Sequence, residues 1–151
     1  MPVSPDRSPG WAYCDTSAIG SRYFNEPGRA RLKGLLKSRR VVSSVLLPLE
    51  LQSAIARRVR EGTLSSIMQL RLVARIGDHR RFWTLIGLTS EVIAATEGLL
   101  EIQYLRTLDA IHVASAQVFA AKMSAPLIFL TADKRQEQAA LSAGLVVRRI
   151  G

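Results

Sequence analysis

Short apolar runs alternate along this chain with longer segments of helical periodicity. The short runs predict five strands, over residues 11–15, 39–44, 83–89, 126–132 and 145–150. The longer segments carry apolar residues three and four positions apart. They predict helices that start after residue 15 and then cover 28–38, 45–60, 64–77, 91–103, 107–122 and 134–143. Because strands and helices alternate throughout, the pattern predicts an α/β sandwich with a mainly parallel central sheet flanked by helices.

Residues that favour helix starts mark several of these boundaries. Thr16 and Ser17 can cap the first helix, and Ser44 is a good cap for the third. Pro48 falls in the first turn of the third helix, where its missing N–H group does little harm. Ser90 is expected to cap the helix over 91–103.

The first ten residues differ in composition from the rest of the chain. Residues 1–10 contain three prolines and no apolar stretch, so we expect a flexible leader rather than a secretory signal. Residues 11–150 contain no Pro-, Gly- or Ser-rich linker and are expected to form one domain. No apolar run approaches the ~20 residues that would span a bilayer, so the simplest expectation is a cytoplasmic protein.

The chain is strongly basic. Twenty-one Lys and Arg residues oppose 12 Asp and Glu residues, and the formal net charge at pH 7 is +9. Such an excess suits a polyanionic partner, because Lys and Arg contacts release counterions from phosphate groups. Solubility, or an acidic protein partner, would also account for it. The charge therefore favours a nucleic-acid partner without requiring one.

Four acidic residues, which we call the acidic quartet, stand apart from the other acids. Asp15 ends the first predicted strand, and Asp133 directly follows the fourth. Glu50 and Asp109 lie inside apolar stretches of predicted helices. A carboxylate carried into apolar surroundings costs several kcal/mol unless it is paired or binds a cation. Four such positions in one small domain favour a common explanation.

The predicted topology brings the acidic quartet to one end of the sheet. Asp15 and Asp133 both follow parallel strands, and ligands of open α/β sheets collect outside those strand ends. Oxygen-only ligands favour Mg²⁺ or Mn²⁺ over Zn²⁺. One or two such ions could activate water and stabilise the oxyanions of phosphodiester cleavage. The alternative is structural, with each acid capping a helix or pairing with an arginine such as Arg22, Arg57, Arg58 or Arg106.

The few cysteine and histidine residues exclude several other chemistries. Cys14 is the only cysteine, so an internal disulfide and a cysteine zinc cluster are impossible. It is expected to be a buried, inert thiol. His112 lies one helical turn after Asp109 and could be a general base, but we expect a packing or hydrogen-bonding role. His79 falls in a polar segment and is expected to be exposed.

Four segments around the acidic quartet resemble the PIN domain family. They are CDTSAI around Asp15, SVLLPLELQSAI around Glu50, RTLDAIHVASA around Asp109 and LTADKRQEQAALSAGLVV around Asp133. Their order and spacing are typical of the family, and the resemblance covers roughly residues 11–150. More narrowly, the segments resemble the VapC-type toxins of bacterial toxin–antitoxin modules.

The resemblance implies a PIN-like three-layer sandwich and a metal-dependent endoribonuclease that cleaves RNA phosphodiester bonds. It implies that the acidic quartet is catalytic and binds the metal, with Mg²⁺ as the cofactor and Mn²⁺ as a substitute. Ser17 and Thr131 match small hydroxyl residues of the family and could orient carboxylates or metal-bound water. The toxin branch also implies a cognate antitoxin protein and a homodimer.

Three other functions fit parts of the sequence. A DNA-directed nuclease would use the same carboxylates. A non-catalytic, basic RNA-binding module would keep the fold, but loss of an acid would favour it, and all four acids are present. A phospho-acceptor receiver domain would need an acid pair at the first strand and an acceptor aspartate after the third. The segment 83–90 contains no acid, which argues against the receiver domain.

Basic residues are concentrated in the second predicted helix and strand. They could guide RNA, dock an antitoxin or simply form an exposed helix face. These residues are Arg29, Arg31, Lys33, Lys37, Arg39 and Arg40.

Overall fold

The computed structural model describes residues 9–151, in which five strands alternate with seven helices. In chain order the elements are β1 (Gly10–Cys14), α1 (Thr16–Tyr23), α2 (Arg29–Leu36), β2 (Arg39–Ser44), α3 (Leu47–Arg60), α4 (Ser66–Arg80), β3 (Thr84–Ile86), α5 (Ser90–Ile102), α6 (Thr107–Met123), β4 (Leu127–Thr131), α7 (Lys134–Ser142) and β5 (Val146–Arg149). Most of the predicted leader, residues 1–10, lies outside the described residues, and Gly10 already belongs to β1.

The strands form one sheet in the order β3-β2-β1-β4-β5, and each neighbouring pair is parallel. β1 lies in the middle, where Ala12 pairs with Val41 on one side and with Ile128 on the other. Because the strands are parallel, their carboxyl ends meet at one edge, which we call the carboxyl edge. The predicted α/β fold with a parallel sheet flanked by helices is confirmed.

Successive residues of β1 contribute to two separate cores, because side chains along a strand alternate between the faces of a sheet. In the first core, Ala12 and Cys14 pack with residues of α1 to α4, and in the second core, Tyr13 packs with residues of α5, α6 and α7. The molecule therefore has three layers. The thiol of Cys14 is fully buried, and burial raises its pKa, as expected of an inert cysteine.

The first helix begins differently from the prediction. Asp15, rather than Thr16 or Ser17, is its N-cap, and the carboxylate Oδ1 accepts a hydrogen bond from the Ala18 N–H at 2.8 Å. The reason is that β1 stops at Cys14, so Asp15 is the residue that holds the extended conformation an N-cap requires.

Two other helix starts are also displaced. Thr89, rather than Ser90, caps α5 by accepting from the N–H of Val92 at 3.2 Å. α3 starts at residue 47 rather than 45, and Ser44 accepts a hydrogen bond from the N–H of Leu46 in the preceding turn. At α5, Thr89 and Ser90 offer the same chemistry, and the extended backbone of Thr89 decides which one caps the helix. At α3, the N-cap position falls on Leu46, which has no side chain that can cap.

α6 is the longest of the described helices, with 17 residues. Its residues 110–116 are buried without interruption, because small side chains let the helix pack closely between its neighbours. Within residues 9–151, no helix is both long enough and apolar enough to cross a membrane.

The start of α2 touches the end of the chain. Gly28 has a φ of +92°, and a Cβ placed on it would overlap the carbonyl oxygen of Ile150. The N–H of Ile150 in turn donates to the carbonyl oxygen of Thr131 at 2.9 Å. This contact fixes the entry to α2 against the carboxyl edge, and it requires glycine at position 28.

Candidate functional site

Asp15 lies at the centre of the carboxyl edge, between β1 and α1. Its carboxylate is buried, with 4% of the residue exposed. Besides the Ala18 N–H, the carboxylate accepts from the Ser17 hydroxyl at 2.7 Å and from the Thr131 hydroxyl at 2.6 Å. The two hydroxyl residues singled out in the sequence therefore both contact this acid.

Burial raises the pKa of the Asp15 carboxyl group above its ordinary value. The electrostatic interaction with the nearby His112 and the hydrogen bonds from Thr131, Ala18 and Ser17 lower the pKa, but burial dominates. A buried carboxylate whose charge is only partly offset by its partners is one that a nearby cation would stabilise.

Asp133 is held close to Asp15 by the hydroxyl group of Thr131. The N–H of Asp133 donates to Oγ1 of Thr131 at 3.0 Å, while the same hydroxyl donates to Asp15. Asp133 also caps α7, where its Oδ1 accepts from the N–H groups of Arg135 at 2.7 Å and Gln136 at 3.3 Å. The last strand residue before Asp133 thus connects the two aspartates.

Glu50 reaches the same edge from the first turn of α3. Its Oε1 accepts from the Thr16 hydroxyl at 2.9 Å and lies 2.7 Å from Nε2 of His112. The Glu50 side chain is 22% exposed, and that of His112 is 3% exposed. Glu50 is therefore tied to α1 on one side and to α6 on the other.

His112 connects Glu50 to the core of the sheet. Its second ring nitrogen, Nδ1, lies 2.9 Å from the Tyr13 hydroxyl. An ionised Glu50 can only accept, so Nε2 donates to it, and Nδ1 of a neutral ring then accepts from Tyr13. The predicted hydrogen-bonding role of His112 agrees with these contacts. They form a row of hydrogen bonds from Tyr13 through His112 to Glu50.

We expect Tyr13→Phe to destabilise the protein by about 1–3 kcal/mol, because it leaves the buried Nδ1 of His112 without a partner. Tyr23→Phe is the matched control: Tyr23 bonds Nδ1 of His79 at 2.7 Å, but that pair is only part-buried and water can replace the hydroxyl. Its expected cost is below about 1 kcal/mol. Urea unfolding measures both changes. Equal losses of unfolding free energy would contradict a special contribution of the buried hydrogen bond between Tyr13 and His112.

His79 itself corrects a prediction. It lies in the last turn of α4 and is partly buried against Tyr23, rather than exposed in a polar turn. Burial lowers its pKa, and the nearby charges of Arg22 and Arg75 lower it further. The helix continues past the predicted end at residue 77 to Arg80, and this extra turn brings the His79 ring against Tyr23.

Asp109 lies in the first turn of α6, at the more exposed side of the site. Its Oδ2 accepts from Nε of Arg106 at 2.8 Å, and its backbone carbonyl accepts from the Gln136 side chain at 3.1 Å. The hydrogen bond to Asp109 raises the pKa of Arg106, and the charges of Asp133 and Glu50 raise it further. Asp109 therefore contacts Arg106 directly, and Asp133 and Glu50 add to the negative potential at this arginine.

The structure brings all four members of the acidic quartet to the carboxyl edge, but it also gives each one a structural partner. Asp15 and Asp133 cap helices, Glu50 pairs with His112, and Asp109 pairs with Arg106. Among residues 9–151, no three His, Cys, Asp or Glu side chains stand close enough together to hold one metal ion. The assignment of the acidic quartet as metal ligands therefore stays a prediction.

The chemistry of the donor set nevertheless fits a hard divalent cation. The carboxylates offer only oxygen, and Asp15 is buried with an incompletely balanced charge. The amide oxygen of Gln136, next to Asp109, is buried and has no hydrogen-bond partner within the described part of the chain. Such an oxygen can accept from water or another donor bound at the site.

Two polar contacts of this site are not predicted from the sequence. Thr16 looks like a helix cap, and its partner Glu50 is 34 positions away, so no local signal reveals the contact. Gln136 follows Asp133 by three residues, which is the spacing of a capping box. That spacing marks the start of α7, but the Gln136 side chain contacts Asp109 instead.

Two of the three basic residues of α2 line a groove that contains no member of the acidic quartet, whereas Arg31 lies apart from it, beside Arg148 and Arg149. Arg29, Lys33 and Lys37 line the groove together with Arg22 of α1 and Arg75 of α4, around a volume of about 340 Å³. Arg39 and Arg40 belong to β2. The groove contains no acidic residue, so it is a concentrated positive surface.

Comparison with solved structures shows where this fold occurs. VapBC2 from Rickettsia felis, bound to a DNA fragment from its promoter, matches with a TM-score of 0.66 and 11% identity, over 93% of this chain and 98% of that chain. VapBC-5 from Mycobacterium tuberculosis, a member of the VapBC family of toxin–antitoxin systems, matches with a TM-score of 0.58 and 17% identity, over 94% and 98%. A toxin–antitoxin complex from Klebsiella pneumoniae has a TM-score of 0.58 and 16% identity, over 83% and 88%.

Comparison with sequences points to the same family. A search of curated proteins gives no significant match. The family model for the PIN domain matches residues 12–141, which contain the acidic quartet, most of β1 and all of β2, β3 and β4. Nuclease activity is typical of PIN domains, and PIN nucleases generally use a divalent metal. Because the matched segment makes up most of the sequence, this chain belongs to the PIN domain family.

Proposed function

We propose that this protein is a metal-dependent endoribonuclease and the toxin of a toxin–antitoxin pair. The observation that carries the proposal is the buried carboxylate of Asp15, which receives hydrogen bonds from Ser17 and Thr131, with Asp133 bonded to the same threonine. A buried carboxylate whose charge is only partly offset by its partners is costly in a merely structural role. In a PIN domain it suits a site built for a cation.

The acidic quartet would hold the cation, which we propose to be Mg²⁺, with Mn²⁺ as a substitute. When bound there, a divalent cation supplies Lewis acidity toward the phosphate oxygens and makes a water molecule more acidic. Ser17 and Thr131 orient the Asp15 carboxylate, and Thr16 and His112 orient that of Glu50. Arg106, beside Asp109, can bind the phosphate that is cut. Attack of water on phosphorus, with cleavage of the bond to the 3′-oxygen as leaving group, would give a 5′-phosphate and a 3′-hydroxyl.

RNA as the substrate and an antitoxin as the partner rest on different supports. The net charge of +9 and the basic groove suit a polyanion, and single-stranded or looped RNA exposes its bases and backbone to such a surface. The structures named above are toxin–antitoxin complexes, which supports an antitoxin partner for a chain of the same fold. We also propose a homodimer, which the resemblance of the four acidic segments to VapC-type toxins implies.

The direct test uses the purified chain on RNA and DNA of one sequence, with Mg²⁺, with Mn²⁺ and with EDTA. We expect RNA cleavage in either metal, loss of cleavage in EDTA and recovery when metal is added back in excess, because the carboxylates alone cannot activate water. Glu50→Gln should lower the rate at least about 100-fold, since even changes behind metal ligands cost about 10- to 100-fold.

Glu97→Gln is the matched control, because Glu97 is an exposed acid on α5 outside the site. Cleavage that survives chelation would exclude the metal mechanism, and preferential cleavage of DNA would replace the substrate. Expression in cells extends the same experiment. Growth arrest that needs Glu50, and that a neighbouring gene relieves, would support the toxin role.

A further inference from the structure

A short loop between α5 and α6 presents an aromatic ring to solvent beside the acidic quartet. Tyr104 is fully exposed, whereas Leu105 packs against the second core. The side chain of Gln103 bonds the carbonyl oxygen of Ala139 at 3.5 Å. The loop is thus anchored on both sides of Tyr104, and the outward position of the ring follows from packing of its neighbours.

The surroundings of the ring combine aromatic, cationic and acidic groups. Tyr104, Arg106, Asp109 and Arg135 line one cavity of about 250 Å³, with Leu105 at its base. Arg106 uses Nε to bond Asp109, yet its side chain is 74% exposed. Arg135 is also exposed, at the start of α7. An aromatic face and two guanidinium groups therefore stand directly beside a member of the acidic quartet.

We propose that Tyr104 is the stacking platform for one unpaired nucleobase of the RNA next to the phosphate that is cut. Unpaired bases stack on aromatic rings and guanidinium planes, and this contact tolerates all four bases. Arg106 and Arg135 bind the phosphates on either side of the stacked base. The inference rests on the proposed ribonuclease function and assigns the substrate a single-stranded nucleotide at this position.

The alternative occupant of Tyr104 is a protein partner. Ile102 and Leu108 are also exposed on the same stretch of chain, at 77% and 46%. The two arginines and Asp109 in the Tyr104 cavity favour the nucleotide, because guanidinium groups at an aromatic face match a base and its phosphates. An apolar protein contact would leave these charges to be desolvated.

The test compares wild type with Tyr104→Ala and Tyr104→Phe on a short single-stranded RNA that contains a mapped cleavage site. Loss of base–aromatic stacking is expected to lower kcat/KM of Tyr104→Ala by roughly fivefold to 100-fold, mainly through KM. Tyr104→Phe keeps the ring and should stay within about twofold of wild type. Because the side chain is fully exposed, both variants should keep the melting temperature of wild type.

A series of RNAs that each lack one base near the cleavage site locates the stacked nucleotide. At one position, removal of the base should slow wild type by the factor that Tyr104→Ala loses and should not slow Tyr104→Ala further, since a shared contact is not additive. If every abasic position slows wild type and Tyr104→Ala equally, or if Tyr104→Ala cleaves as well as wild type, Tyr104 does not stack on a base. A variant that cleaves normally but no longer binds a protein partner would assign the ring to that partner instead.

A binding arm separates this proposal from the nuclease proposal. RNA carrying 2-aminopurine at the located or neighbouring positions is titrated with each protein in EDTA, where stacking on Tyr104 should quench its fluorescence. Quenching by wild type and Tyr104→Phe but not by Tyr104→Ala supports the platform even if no RNA is cut, in which case the proposed activity alone fails. Metal-dependent cleavage by wild type without Tyr104-dependent quenching overturns the platform alone.

Discussion

Asp15→Asn is expected to lower RNA cleavage at least about 100-fold while making the metal-free protein more stable. The loss follows because the variant removes the most buried charge of the proposed metal site. The gain follows because the native fold holds that carboxylate in a place that raises its pKa. Asn keeps the helix cap, since it is as good an N-cap as Asp, and its amide can donate to the Thr131 hydroxyl.

The sign of the pH dependence distinguishes this behaviour from that of an ordinary surface aspartate. The native pKa of Asp15 is raised, so between the unfolded value of about 3.9 and the native value the folded protein binds more protons than the unfolded chain. The stability that protonated Asp15 contributes is present at low pH and is lost as the pH rises through the native pKa. The advantage of Asp15→Asn over wild type should therefore grow from acid toward neutral pH.

Urea unfolding in EDTA across this pH range, followed by the same titration with Mg²⁺, measures both effects. Metal should stabilise wild type and not Asp15→Asn, because only a ligand that binds the folded protein raises its stability. Asp78→Asn is the control, since Asp78 is 76% exposed and makes only a 3.9 Å contact with Arg81. If Asp15→Asn is less stable than wild type at neutral pH without metal, the ionised Asp15 carboxylate does not destabilise the folded protein.

Gly28→Ala is expected to reduce the free energy of unfolding by roughly 2–5 kcal/mol, combining left-handed backbone strain with displacement of the Ile150 carbonyl. The effect should reach the site as well. Ile150 bonds the backbone of Thr131, whose hydroxyl holds Asp15 and Asp133, so a shifted chain end should also slow cleavage. Denaturant unfolding and cleavage rates report the two parts.

Gly62→Ala separates strain from overlap. Gly62 also has a positive φ, +72°, but nothing lies within 4 Å of the position its Cβ would take. Its expected cost is only about 1–2 kcal/mol, and cleavage should be unchanged. If Gly28→Ala loses no more than Gly62→Ala, the contact between the start of α2 and the chain end does not constrain the fold.

The order of the elements and the parallel sheet could be predicted because short strand-like runs alternate with longer segments of helical periodicity. At the end of β1, the sequence pattern does not predict which residue caps the next helix. Asp15, Thr16 and Ser17 can all cap a helix, and only the pairing of β1 with its neighbours decides that Asp15 does so. β3 is likewise shorter than predicted, because this edge strand pairs with β2 alone, over Thr84–Ile86.

The sequence likewise predicts one part of the candidate site and not another. Parallel strands must end at one edge, so the shared location of the acidic quartet followed from the order of the elements. The partners of each carboxylate did not follow, because they are set by contacts between distant residues. His112 lies 62 positions from Glu50, and nothing in its helix indicates that it bonds Glu50 on one side and Tyr13 on the other.

The arrangement of strands also affects when the proposed site can form during synthesis of the protein. β1 and β4 are neighbours in the sheet, yet more than 100 residues separate them in the chain, and Asp133 follows β4. A nascent chain therefore lacks the central partner of β1, and with it Thr131 and Asp133, until most of the chain has left the ribosome. An amino-terminal fragment that ends before Asp133 lacks part of the proposed site, so we expect the proposed cleavage activity only after β4 and Asp133 have been translated, and a chain that stalls earlier should release no active nuclease.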